Sequence, residues 1–264
     1  MSKPLFIRNM KQMVKPILIF VAVLTMYQGV IIYMFDPELM NMLNDYQKLM
    51  PEMMAAVGMT GATNTLLEFV NTYLYGFLMQ LFPFIFTLII GHSFVMKYVD
   101  SGAMACLLAS PNSRRKIIMT QMISMILSIF LLMGLLTGIG IGFAQGLFPG
   151  ELDIKRFISL NTGAFLLQLM IGGIVFSAAC FFNESKNFYM IGCGLPLIFF
   201  LISMMGNMGE KLEWMKNFSI FTLFPSEQIV AGEEYGSYLS IMLIVAVILY
   251  GAGVRRFLHK DLAL

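Results

Sequence analysis

Two histidines, His92 and His259, and three cysteines, Cys106, Cys180 and Cys193, are the conspicuous candidates for metal or nucleophilic chemistry in this chain of 264 residues. The histidines form no His-Glu-x-x-His run, so nothing points to a zinc protease. Glu233 and Glu234 resemble the paired acids of some membrane proteases, but no histidine shares their loop. The cysteines are odd in number, show no pairing pattern and read as small apolar fillers. Met40, Met42, Met50, Met53 and Met54 gather in one segment, and thioethers suit Cu(I), which raises a copper-handling reading. The 25 methionines are spread through every apolar run as well, which favours methionine standing in for leucine. No Gly-x-x-x-x-Gly-Lys-Ser/Thr stretch occurs, so the chain has no ATP site of its own.

The elements that carry these residues are membrane spans. Hydrophobic residues make up 58% of the chain and charged ones 12%, outside the range of soluble domains. Six apolar runs are long enough to cross a bilayer, which takes about 20 residues each: 16–35, 74–96, 117–144, 161–182, 188–205 and 239–257. The expected fold is all-α integral membrane, a single transmembrane domain over 1–264. The first run is read as a retained span, because its apolar part is too long for a signal peptide and no small-residue cleavage site follows.

Charge sorting sets the topology. With both termini in the cytoplasm, all but five of the 17 basic residues lie inside, the exceptions being Lys48, Lys155, Arg156, Lys211 and Lys216. Among the 15 acids only Asp100, Glu184 and Asp261 lie inside. Ahead of the first span, Phe6, Met10, Met13 and Ile17 share one helical face and Arg8, Lys11 and Lys15 the opposite one, which predicts an interfacial helix turning into the span near Pro16. Outside, Leu39, Leu43, Tyr46, Met50, Met53 and Val57 recur at helical spacing, with a restart at Pro51. Trp214, Phe218, Phe221 and Phe224 do the same in the long segment before the last span, with Tyr235 and Tyr238 suited to the membrane interface.

Between the second and third spans, "VDSGAMACLLASPNSRRKI" combines a short apolar helix, Pro111 and the basic cluster Arg114, Arg115 and Lys116. A plain positive-inside loop accounts for the cluster, but not for Met104, Leu107 and Leu108, apolar residues that suggest a docking surface. The order Asp100, Gly102, Leu107, Leu108, Ser110, Pro111, Ser113, Arg114 and then a long span resembles the first coupling helix of type-2 ATP-binding-cassette (ABC) exporter permeases. The C-terminal Phe257, Lys260, Asp261 and Leu262 resemble the same family's closing motif; no glutamate stands in the acidic pattern ahead of Gly102, where the chain has His92 and Asp100.

The resemblance implies a bacterial cell-membrane permease subunit with its N- and C-termini cytoplasmic. Two copies of a separate ABC ATPase bind ATP and Mg, and a second permease copy or close paralogue completes the path. The partners implied are those subunits and membrane lipid, with no nucleic acid. It places ATPase coupling at Asp100, Gly102, Met104, Leu107, Leu108, Pro111 and Arg114, with Glu184 in a second loop at 182–187, and it implies short re-entrant helices outside. Residues awkward in a lipid-facing helix mark the translocation path: Gln80, Pro83 and Thr87 with His92 in the second span, and Pro196, Ser203 and Asn207 in and just beyond the fifth. Gly134, Gly138, Gly140, Gly142, Gly172 and Gly173 are expected to permit close helix packing. The mostly apolar spans suit a hydrophobic or amphipathic cargo such as a lipid, peptide or drug. A stand-alone secondary transporter or channel is the other class, against which stands the near absence of ionisable groups in the spans.

Overall fold

The computed structural model describes residues 1–36, 49–56, 64–109, 112–208 and 210–260, and among these the regular structure is helical with no strand. In chain order the helices are α1 (Lys3–Tyr33), α2 (Pro51–Ala56), α3 (Leu66–Val70), α4 (Leu78–Gly91), α5 (Lys97–Asp100), α6 (Ala103–Ala109), α7 (Arg114–Leu147) and α8 (Ile154–Phe181). They continue as α9 (Ser185–Gly192), α10 (Gly194–Asn207), α11 (Ser226–Ala231) and α12 (Gly236–His259). Six stretches are long and apolar enough to span a bilayer: α1, α4 through α5, α7, α8, α9 through α10, and α12. The all-α integral membrane fold expected from the sequence is therefore present.

The first of these differs from expectation. Lys3–Tyr33 is one uninterrupted helix with Pro16 inside it, with no separate interfacial helix turning at the proline. The proline removes a single backbone donor, and polar contacts to α7 hold the first turns in line. The Ser2 amide donates to Thr120 Oγ1 at 2.8 Å, and Asn9 Nδ2 donates to Gln121 Oε1 and, at 3.0 Å, to Ser124 Oγ. The buried stripe of α1 continues through Met13, Ile17, Leu24, Gln28 and Ile32, so tertiary packing decides the direction of the segment.

The most buried span is α8. Its Gly172 and Gly173 let α12 approach: a Cβ on Gly172 would lie 2.5 Å from Tyr250 Oη, and one on Gly173 2.8 Å from Leu249 Cβ. Ser177 Oγ donates to the Leu249 carbonyl at 2.6 Å across the same seam. Because Leu249 Cβ is fixed to its backbone, Gly173→Ala should force the two helices apart. The expected cost is about 1–3 kcal/mol, read as a lower unfolding midpoint in detergent. In α7, Gly140 receives Gln28 and Phe157, whereas a Cβ on Gly134, Gly138 or Gly142 would meet nothing within 4 Å. These three glycines face outward and take no part in packing within the subunit.

A π-turn at Asn71–Tyr75 precedes α4 and another, at His92–Met96, joins it to α5. Such turns add a residue to the helical repeat and re-aim the side chains beyond them. Of the predicted outer helix only α2 and its neighbours are described, with Met50 and Met53 exposed; Leu39, Leu43, Tyr46 and Val57 lie outside the described residues. The later outer segment does not present one aromatic face. It forms 3₁₀ turns at Glu210–Phe218 and Ile220–Leu223, broken at Ser219, whose hydroxyl donates to the Phe199 carbonyl at 2.7 Å. The break leaves Trp214 and Phe218 exposed and turns Phe221 and Phe224 inward.

Candidate functional site

Two places bring the candidate residues together, one at each end of the bundle. At the end that carries both chain termini, Asp100 closes α5 and Gly102 reverses the chain with φ of +70°, a conformation that favours glycine. The chain then enters α6. Across from it, the Asp100 carboxylate accepts from the Ser185 hydroxyl at 2.8 Å and the Ser185 amide at 3.3 Å, so it caps the start of α9. His92 stands beside this contact, with Nε2 3.5 Å from Ser185 Oγ and its ring stacked on Tyr189 at 5.5 Å. The two loops that the sequence offered as separate coupling segments are thus joined through one carboxylate.

Within α6 the three apolar residues behave differently. Met104 is only 1% exposed and packs into the subunit's own core, so it does not belong to an exposed docking surface as expected. Leu107 and Leu108 are half-buried, and Cys106 and Ala109 form the exposed face. The short run from Gly102 to Ala109 makes only two helical turns, and one of its faces must rest on the bundle. Glu184 is exposed at the N-cap position of α9 without a side-chain capping bond, and Pro111 lies outside the described residues. Arg114 reaches the end of the last span, donating from one guanidinium nitrogen to the Lys260 carbonyl at 3.0 Å. Lys260, which the sequence linked only to the family's closing motif, is buried and donates from Nζ to the Phe182 carbonyl at 2.6 Å. Burial pushes its ammonium down to about 8. The described C-terminus is therefore tied to the same pair of loops.

At the opposite end a cavity of about 620 Å³ lies between α4, α10 and the segment before α11. Gln80, Ser203 and Asn207 line it, three of the seven residues expected to mark a path. Gln80 is fixed by its Nε2 donating to the Tyr75 carbonyl at 3.0 Å, and its own carbonyl accepts from Gln168 Nε2 at 2.9 Å. Pro83, Thr87 and Pro196 do not line the cavity; they are buried in the helix packing, with Thr87 beside Gly172. Lys216, Thr222, Glu227 and Gln228 complete the polar wall, and Phe200, Phe221 and Phe224 the apolar one. No sequence signal singled out that polar group, because the residues come from the two 3₁₀ turns and the first turn of α11, whose path only the tertiary structure fixes.

A sequence profile of ABC-2 family transporter proteins matches residues 7–262. The chain belongs to the ABC-2 transporter family. Comparisons with curated proteins and with solved structures found no match. As an ABC-2 transporter protein it is a membrane component of a transport system, and its two clusters are to be read as parts of a transporter. One is a polar junction of loops beside the termini, and the other a mixed polar and aromatic chamber at the far end of the spans.

Proposed function

We propose that the chain is the permease subunit of an ABC exporter in a bacterial cell membrane. Its termini face the cytoplasm, and two copies of a separate ATPase dock on the end that carries Asp100 and α6. ATP and Mg are bound by those subunits. The observation that carries the reading is the Asp100–Ser185 junction, because a push on α6 reaches both the second and the fifth span through it. Those are the spans whose far ends line the cavity with Gln80, Ser203 and Asn207. Motion of the two against each other changes access to that chamber. The mixture of amide, hydroxyl, charged and phenyl side chains suits an amphipathic cargo, with a polar head against Asn207 and Gln228 and an apolar body against Phe200 and Phe224.

Two permease copies complete the path, since six spans are half of what the family's exporters use. Gly134, Gly138 and Gly142 form an outward stripe at intervals of four on α7, suited to close approach of a second helix. Affinity purification of the tagged chain from its native membrane is expected to recover an ATPase subunit, with two permeases and two ATPases in each complex. Gly138→Leu should shift the complex toward single permeases. Transport by the chain alone, driven by an ion gradient, would instead favour a secondary transporter and overturn the proposal.

A further inference from the structure

One face of α1 carries Arg8, Lys11 and Lys15 at spacings of three and four. Lys97, with Ser93 one helical turn earlier, comes from the second span to meet them. With Gln12 these residues line an open cavity of about 640 Å³ that is separate from the transport chamber. The four cations are exposed, and no carboxylate is among the residues lining the cavity. Arg8 is held over the Tyr98 ring, 5.3 Å from its centroid, and Gln12 Oε1 is buried without a hydrogen-bond partner. Four like charges around one groove raise its positive potential and favour an anion among them.

The surroundings select the kind of anion. Lys15 and Lys97 stand at the ends of the apolar stretches of two spans, the position from which basic residues meet lipid headgroups when such helices cross a bilayer. Immediately beyond Lys15, Leu18 and Ile19 are 63% and 62% exposed on the same helix. A cationic groove that continues onto bare apolar surface fits a molecule with a phosphate at one end and acyl chains at the other. We infer that this groove holds the phosphate of an anionic glycerophospholipid between α1 and the second span, with the acyl chains along Leu18 and Ile19. The bound lipid neutralises the cluster and bridges the N-terminal turns of α1 to the second span. The inference requires only that these helices cross a membrane and does not depend on the transport direction.

The test is a titration of the full chain in neutral detergent, followed by native mass spectrometry, with phosphatidylglycerol, phosphatidylcholine and inorganic phosphate as probes. Phosphatidylglycerol should bind about tenfold more tightly than phosphatidylcholine, and Lys11→Gln or Lys97→Gln should each weaken it roughly fivefold. Lys97→Arg should keep the affinity, which separates loss of charge from loss of fold. Arg255→Gln, an exposed cation at the same end, should change nothing. Equal binding of the two lipids, or an equal effect of Arg255→Gln, would overturn the site. Displacement of the lipid by inorganic phosphate at equal concentration would show a free-anion site and overturn the lipid assignment.

Discussion

Replacing Leu107 and Leu108 together with aspartate should abolish productive coupling, with ATPase capture weakened about 100-fold or more. Burying a leucine is worth about 1.5–3 kcal/mol, and a carboxylate placed in the same apolar contact costs more again. The structure sharpens this experiment. Met104 is buried in the subunit's own core and must be left alone, because a change there would damage the fold rather than the interface. Both leucines are half-buried, so some of the aspartate effect falls on the subunit itself, and an independent readout is needed. Cys106 supplies it. It is exposed on the free face of α6, while Cys180 is buried and Cys193 half-buried. Maleimide labelling of Cys106 in the otherwise unaltered chain should be suppressed when the ATPase is bound and restored when it is stripped away. Labelling that ignores the ATPase, together with transport unaffected by the double substitution, would reduce α6 to a positive-inside loop. Insertion should survive the substitutions, since Arg114, Arg115 and Lys116 still set the topology.

What could be read from the sequence divides along a physical line. The six spans were legible because apolar length is a property of a contiguous stretch, and the family resemblance because its loop residues sit in order along the chain. Direction within the bundle was not. Pro16 with an amphipathic face suggested a separate helix, yet Asn9 and Ser2 find partners on α7, and those contacts outweigh the local signal. The same holds for the glycines. Gly138 and Gly140 are indistinguishable in a pattern search, but Gly140 takes Gln28 against it and Gly138 meets nothing within 4 Å. Polarity in a span does not by itself tell which residues reach the chamber. Gln80, Ser203 and Asn207 line the chamber, whereas Thr87 has the same polarity and turns into the packing against α8. Gln80 and Thr87 stand seven residues apart on α4 and so on nearly the same face; what separates them is depth along the helix, with the chamber against Gln80 at the outer end and α8 against Thr87 about two turns deeper, and no spacing rule gives that.

That difference in surroundings is what the second large effect tests. Ser203→Trp should lower transport at least tenfold while basal ATP hydrolysis by the complex continues. Ser203 lies on the wall of the 620 Å³ chamber, and an indole in its place occupies space that a cargo needs. The substitution should be tolerated by the fold, since Ser203 is only half-buried and its side chain faces open volume. Asn207→Ala should act more gently, lowering transport roughly fivefold through loss of one hydrogen bond worth about 1 kcal/mol. Thr87→Val is the counterpart from the packed side of the second span. Thr87 is fully buried and its hydroxyl has no hydrogen-bond partner, so a valine of similar shape should leave transport unchanged and stability equal or slightly higher. If cargo moved along the Thr87 face, the valine would impair transport and the Ser203 tryptophan would be silent. The two substitutions lie on different spans but bear on one question, whether the route follows the polar chamber or the helix seam. Transport into proteoliposomes, normalised to inserted complex, reads the answer, and ATP hydrolysis measured on the same vesicles shows whether a lost signal comes from a blocked path or from a broken coupling.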